Sequence, residues 1–450
     1  QNGRHLYKVH LEWRRVFGKV YGFFIGPRLF VVFENLDDVH NVLVKQFANF
    51  VDRQPMDFLH ESLKEALVNQ RGDRWRHMRA RVSPAFTNRK LRMLSFSFYS
   101  TPPPLPPPLP LSLSHSHSLS IQFSAYQRLT LDVIASIAFG LRTRCQADAS
   151  DAVLLHSRRF FAEMPDPERC PAMAIACQRE REREILFPEL AHICEFAHRK
   201  LSAAAAPEQW LASQLRAVVQ RRMREHEDHA DIIGMLLSSA SPSDAADDIL
   251  DSVVANAFAF LLAGYETTST SLAFATWLLA NNPACQQTLA DELEEAREEP
   301  DSCWFDIVMR LPYLNGVFKE TLRLYPPITF FVNRTCISAC RVGSVEMPRG
   351  AVACVPVWNI HRDPENWPRP DEFIPERSAP PRHPMSWLPF GGGPRNCVGA
   401  RFAELEFKAT LARVIAAFRV ELADDCQKLV LLNPSVMLAP ERVAVRVQRR

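Results

Sequence analysis

The chain of 450 residues is most informative first in what it lacks. It lacks an excess of charge of either sign: 53 Lys and Arg face 51 Asp and Glu, for a formal net charge of +2. That balance provides no electrostatic footprint for nucleic acid as a partner. It lacks any C-x-x-C pair among its 11 cysteines, which argues against a zinc cluster and a dithiol redox motif. The nearest pair, Cys336 and Cys340, has no flanking histidine. Scattered, unpatterned thiols point to a cytosol-facing chain that keeps them reduced. No G-x-G-x-x-G stretch occurs, so the chain is not expected to bind a nicotinamide dinucleotide itself. No apolar run reaches the ~20 residues of a membrane-spanning helix. The stretch 20–33 is cut by Gly26-Pro27-Arg28, and 253–264 is cut by Asn256. The first residue is Gln1 rather than Met, from which we expect that an N-terminal segment has been lost. Glycine is scarce, 15 in all, and four of them fall between 391 and 399.

Hydrophobic residues are not lacking. At 47% they exclude a disordered chain and supply a sizeable core, and the length fits two or three domains or one large one. Alternating runs around Gly26-Pro27 predict a hairpin over 20–33. Helical spacing of apolar residues predicts helices over 35–47, 247–282, 305–325 and 398–418, with a short basic one over 73–81 carrying Trp75. Residues 129–140 read as a buried helix closed by a glycine cap at Gly140. The Ala/Arg/Glu-rich stretch 158–224 reads as helix interrupted at prolines. Pro326-Pro327 opens β-rich sequence through Pro356, and 364–394 is a Pro-punctuated meander. The expected fold class is mainly α with a smaller β region. One stretch stands apart. Residues 95–122 hold Pro102-Pro103-Pro104, Pro106-Pro107-Pro108 and Pro110, then a Leu/Ser/His tract, which regular helix cannot accommodate. We read it as a low-complexity insert.

The glycine cluster runs Phe390-Gly391-Gly392-Gly393-Pro394-Arg395-Asn396-Cys397-Val398-Gly399, directly into a predicted helix. A thiolate at a helix N-terminus is favoured by the dipole and the free amides. Glycines let a flat group approach the backbone, and a guanidinium two residues earlier can neutralise an anion. Together these suit a thiolate metal ligand under a porphyrin. The competing readings are a phosphate-binding loop, which this stretch matches poorly for want of a G-K-S/T ending, and an ordinary turn with a buried cysteine.

At every defined position the segment resembles the F-x-x-G-x-R-x-C-x-G haem loop of the cytochrome P450 family. Three further motifs follow the family's order. Glu320-Thr321-Leu322-Arg323 resembles its E-x-x-R helix, followed by Pro375-Glu376-Arg377; alone, such i,i+3 spacing is a surface ion pair. Ala263-Gly264-Tyr265-Glu266-Thr267-Thr268 resembles its A-G-x-E/D-T oxygen-activation motif, against the plainer reading of a small-residue packing seam. Trp75-Arg76-His77-Met78-Arg79 resembles its W-x-x-x-R helix.

This resemblance implies the P450 fold as a single domain over 1–450, with haem b (iron protoporphyrin IX) as cofactor and Cys397 as its axial thiolate and metal ligand. It implies that Arg395, Trp75, Arg79, Arg334 and, more weakly, Arg53 bind the propionates, with Phe390, Gly391 and Gly399 shaping the loop. It makes Thr267 and Glu266 the catalytic proton-handling pair and places Ala263, Ile328, Thr329 and Phe330 in the substrate wall. Glu320, Arg323 and Arg377 become a structural network. The implied activity is monooxygenation of a small lipophilic substrate (steroid, fatty acid or xenobiotic), with electrons from NADPH through a separate flavoprotein reductase. The implied location is the cytosolic face of the endoplasmic reticulum membrane, although the microsomal members' N-terminal anchor is missing here. Two departures stand out: the insert at 95–122, and Ser378 where the family has an aromatic. The wording around Tyr325-Pro326-Pro327 and 361–364 is most similar to the steroid- and xenobiotic-oxidising group that also contains thromboxane synthase. Two alternatives follow: an isomerase of that type, which rearranges a peroxide without a reductase, and an inactive haem-binding product disabled by the insert.

Overall fold

The computed structural model describes residues 6–54, 61–92, 120–162, 205–225, 231–240, 245–297, 304–329, 331–377, 383–432 and 437–450. Helix α1 (Leu6–Phe17) precedes the hairpin β1 (Val20–Ile25) and β2 (Arg28–Phe33). Helix α2 (Leu36–His40) is capped by the Asn35 side chain, which accepts from the Asp37 amide at 2.9 Å. Then come α3 (Gly72–Val82), β3 (Ser120–Gln122), α4 (Phe123–Phe139), α5 (Ala152–Ala162), α6 (Ala205–Glu225) and α7 (Ile232–Ser238). The long α8 (Ala246–Asn281) leads to α9 (Pro283–Arg297), α10 (Trp304–Arg310) and α11 (Pro312–Leu324). A β-rich stretch holds β4 (Asn333–Thr335), β5 (Cys340–Val342), β6 (Val345–Met347) and β7 (Val352–Cys354). It ends at the short α12 (Val357–Ile360). After the meander come α13 (Ala400–Ala417), β8 (Phe418–Leu422), β9 (Leu431–Leu432), β10 (Ala439–Pro440) and β11 (Ala444–Arg449).

Helix α8 is apolar on nearly every face, the pattern of a helix buried all round. Val254, Phe258, Leu261, Leu262, Tyr265, Leu272, Phe274 and Leu279 are all buried along it. Helices α4, α6, α11 and α13 pack against it. Gly264 is where α4 comes closest: a side chain there would press on Ile134 at 3.0 Å. At Gly264 the motif therefore serves as a small-residue packing seam between the two helices. Asn256, which interrupts the apolar run, is fully buried. Its side chain accepts from the Leu67 amide at 2.9 Å and donates to Ser252 O at 2.8 Å. It therefore pins the 61–70 segment to α8, with its polar atoms satisfied. No described helix is long and apolar enough to cross a membrane.

The larger sheet has the order β1-β2-β7-β4. The hairpin pairs antiparallel from Val20↔Phe33 to Ile25↔Arg28, and β2 runs parallel to β7. The sheet's inner face packs as a second core around Phe33, Val42, Leu43, Phe50, Val355 and Leu388. A smaller sheet, β3-β11-β8, joins the C-terminus to the start of α4.

Several boundaries differ from expectation for local reasons. The helix expected over 305–325 is two, α10 and α11, because Pro312 lacks an amide donor and starts a new helix at its first turn. Pro283 likewise opens α9 instead of only ending α8. The helix expected over 35–47 widens into a π-turn at Asn41–Lys45, then a 3-10 turn at Phe47–Asn49. Helix α4 ends as expected, with Gly140 left-handed at φ 60°. Of the insert at 95–122, only Ser120–Gln122 is described, and it forms β3. The insert's prolines, at 102–110, and most of the 158–224 stretch lie outside the described residues, as do Phe330 and Ser378.

Candidate active site

The site grows from the loop that ends at Gly399, the N-cap of α13. The Cys397 amide donates back to Phe390 O at 2.9 Å, and the Asn396 amide to Gly393 O at 3.0 Å, so the loop folds on itself. Gly391 and Gly393 are left-handed, at φ 70° and 69°. Only glycine adopts that backbone without strain. A side chain on Gly393 would also overlap the carbonyl oxygen of Leu43, which the π-turn of Asn41–Lys45 presents to it. Gly399 carries no such demand; a side chain there would sit in ordinary contact with Phe86 at 3.7 Å. Phe390 stacks on Phe318 of α11, ring centroids 6.2 Å apart, which fixes the start of the loop.

Cys397 is surrounded by protein, and this desolvation raises its thiol pKa. The Gly399 amide, Arg79 and Arg53 pull in the other direction. Yet its surface is exposed. The thiol is thus crowded by protein yet still accessible. Thr267, Ile328 and Thr329 are half-buried and Ala263 is exposed.

Arg79 and Arg53 act on the thiol, and Arg334 and Arg395 stand beside Arg53. Arg395 Cζ lies 4.7 Å from the Trp75 ring centroid, and its Nη2 donates to Gln70 O. Arg53 Nη2 donates to Arg395 O at 3.1 Å, with its guanidinium over the Phe331 ring at 4.2 Å. Arg334 Nη1 donates to Asn333 O at 2.7 Å. Arg79 donates to both oxygens of Asn396, at 2.7 and 2.9 Å, so it grips the loop itself rather than standing free for a ligand. Arg53 Nη1, Arg334 Nε and Arg395 Nε are buried with no hydrogen-bond partner. Burial, with Arg395 beside it, pushes Arg334 down to about 9; burial also lowers Arg395, to about 10. Buried cations of one sign with unused donors call for an anion. This donor set fits a planar dianion seated against a thiolate, as haem with its two carboxylates would be.

On α8, Thr267 and Glu266 point to different places. Thr267 Oγ1 donates to Ala263 O at 2.6 Å, and Ser271 Oγ donates to Thr267 O at 2.8 Å. Such back-bonding hydroxyls bend a helix. Glu266 is buried toward α4 and accepts from Gln127 Nε2 at 3.2 Å; Gln127 Oε1 in turn accepts from Arg158 Nε at 3.2 Å. Burial raises its carboxyl to about 7, against the lowering effects of Gln127 and Arg158.

Behind the loop, Glu320 takes Arg323 Nε at 2.8 Å and Arg377 Nε at 2.7 Å, all three side chains buried. Arg323 also donates to His361 O and Pro370 O, at 2.8 and 2.6 Å. His361 is the member the sequence reading passed over. Its Nε2 accepts from the Leu388 amide at 2.7 Å, so its Nδ1 carries the proton and donates to Arg323 O at 3.1 Å. Burial, then Arg323 and Arg362, hold it neutral, at about 3. The network thereby reaches the residue two before Phe390. The spacing of His361 from either motif carries no signal; only the fold brings it between them.

Known proteins place this arrangement in context. A family profile described as Cytochrome P450 matches residues 1–447. Thromboxane-A synthase of Macaca fascicularis is 32% identical over 97% of this chain and 86% of its own length. The Sus scrofa protein of that name is 30% identical over 99% and 88%. Cytochrome P450 3A31 of Mesocricetus auratus is 29% identical over 97% and 86%. Such agreement in sequence over nearly the whole chain, with this fold beneath it, makes the chain a member of the cytochrome P450 family.

Proposed function

We propose that this chain is a haem-thiolate monooxygenase, a single domain from 1 to 450. It would insert one atom of dioxygen into a lipophilic steroid, fatty acid or xenobiotic and release the other as water. The observation that carries this reading is the open thiol of Cys397 among Arg53, Arg79, Arg334 and Arg395. Haem b, when bound, supplies dioxygen activation, and a thiolate donor favours O–O cleavage. Cys397 would hold the metal, since a coordinating thiol is deprotonated outright. Arg53, Arg334 and Arg395 would take the carboxylates, with Trp75 backing Arg395. Arg79 fixes the loop through Asn396. Phe390, Gly391 and Gly399 shape the approach.

Thr267 keeps a hydroxyl proton at the open side of α8, tied to Ala263 O when nothing else accepts it. Glu266, buried against α4 on the other side of the helix, would be a protonated acid below about pH 7 and a carboxylate above, the second member of the proton-handling pair. Ala263, Ile328 and Thr329 would wall the apolar side with Phe330. Electrons would come from NADPH through a separate flavoprotein reductase, at the cytosolic face of the endoplasmic reticulum membrane.

The relatives named thromboxane-A synthase favour a second reading, an isomerase acting on an organic peroxide without a reductase. The Glu266–Thr267 pair favours the first. Incubating the holoprotein with reductase, NADPH and a steroid or fatty-acid panel separates the two. Monooxygenation predicts product and oxygen uptake that both require the reductase. Peroxide rearrangement at full rate without reductase or NADPH would overturn it.

A further inference from the structure

Cys336 and Cys340 stand apart from the site and take no part in its chemistry, yet their Sγ atoms are 3.8 Å apart. Backbone pairing holds both. The Cys336 amide donates to Ala351 O, and its carbonyl accepts from Gly350, each at 2.8 Å. Cys340 opens β5 opposite Met347. Cys336 is buried and Cys340 is half-buried. Burial, then the neighbouring Cys340 thiol, raises Cys336 to about 11. Thiol reactivity follows exposure and thiolate character. Cys340 therefore meets a dissolved oxidant first, and Cys336 lies behind it as the only thiol it touches among the described residues. A disulfide spans about 2.05 Å, so closing the gap needs a movement of under about 2 Å, within reach of side-chain rotation.

We infer that Cys336 and Cys340 are a redox-modification site, at which hydrogen peroxide converts Cys340 to a sulfenic acid that Cys336 then captures as an intrachain disulfide. In the first step the Cys340 thiolate attacks one peroxide oxygen, the O–O bond breaks and hydroxide leaves. In the second, the Cys336 sulfur attacks the Cys340 sulfur and the S–O bond breaks. The departing hydroxide takes the Cys336 proton and leaves as water. Two thiols and one peroxide become one disulfide and two waters.

The turn between the two cysteines is clasped by Asn49. The Ser338 amide donates to Asn49 Oδ1 and Asn49 Nδ2 to Ser338 O, each at 2.7 Å. The Ile337 amide donates to Asn49 O at 3.0 Å. The reduced Cys336 sulfur belongs to the same clasp, donating to Ser338 O at 3.0 Å and accepting from Asn49 Nδ2 at 3.7 Å. Oxidation removes the S–H donor. It thereby loosens the tie to a segment that continues through Asp52, whose carbonyl accepts from Thr335 at 2.7 Å, to Arg53.

Trypsin leaves both cysteines in one peptide, residues 335–341, which makes the test direct. The reduced holoprotein is exposed to millimolar hydrogen peroxide, alkylated, digested and weighed. The expected product is that peptide two hydrogens lighter, unalkylated and restored by dithiothreitol. Cys340 should lose its free thiol on the order of tenfold faster than the buried Cys354. In Cys336→Ser, Cys340 should stop at the sulfenic acid and be trapped by dimedone. In Cys340→Ser, Cys336 should stay reduced. Backbone hydrogen exchange over 47–53 should quicken in the oxidised form only. Full alkylation of both thiols after peroxide would overturn the inference, as would Cys340 joined to another cysteine or no dimedone adduct in Cys336→Ser.

Discussion

Adjacent in sequence, Thr267 and Glu266 divide the two sides of α8 between them, the hydroxyl on the cleft and the carboxyl against α4. That separation gives each its own test. Thr267→Ala removes the cleft-side hydroxyl and leaves the buried acid. Product formation should fall by roughly one to two orders of magnitude while NADPH oxidation continues and hydrogen peroxide accumulates. Unchanged coupling of NADPH to product would contradict the role. For Glu266 the readout is stability. Its folded carboxyl titrates at about 7, above its ordinary value, so the folded state holds the proton more tightly. Stability should therefore fall as pH rises through the ordinary carboxylate range up to about 7, by at most about 3 kcal/mol from this group. Glu266→Gln should flatten that part of the curve, seen as a smaller loss of melting temperature between pH 5 and pH 8. Parallel curves for the two proteins would contradict the assignment. The sequence announced both residues through one short motif, but not that they face apart. Nor did it announce His361, whose place depends on Arg323 and on Leu388, far apart along the chain.

Among elements, the meander and α11 are joined by a buried carboxylate with two guanidiniums. Removing one partner of such a group leaves uncompensated charge, at a cost of about 3–5 kcal/mol. Glu320→Gln should lower the melting temperature steeply and reduce the hemin retained on purification. Wild-type melting would show the network to be dispensable. Strongly patterned elements were legible from sequence. The hairpin is marked by Gly26-Pro27 between alternating runs, the cap of α4 by Gly140, and α8 by apolar residues on nearly every face. The end of α8 before Pro283 was legible too, but the break at Pro312 was not. Pro312 divides two helices whose apolar spacing runs on across it, because a proline in the first turn leaves the pattern intact while ending the earlier hydrogen bonds. The π-turn at Asn41–Lys45 had no local signal either, and it is set by packing against a distant neighbour in the chain. Leu43 O is brought against Gly393, a contact more than three hundred residues away in the chain.

Across the whole molecule, one apolar helix organises the core, and the polar exceptions gather where the loop before α13 meets α3 and the larger sheet. Arg53, Arg79, Arg334 and Arg395 come from four separate stretches. Each alone would be a solvated surface charge, so sequence identified them only through their resemblance to a family pattern. Their gathering around Arg53, beside Cys397, is a property of the fold. The reduced, carbon-monoxide-bound absorption spectrum, taken after reconstitution with hemin, tests that arrangement most directly. The account predicts the strongly red-shifted Soret band of a thiolate ligand in the wild type and in Cys336→Ser, and its loss in Cys397→Ser. Survival of the band without Cys397, or its loss with Cys336, would contradict it.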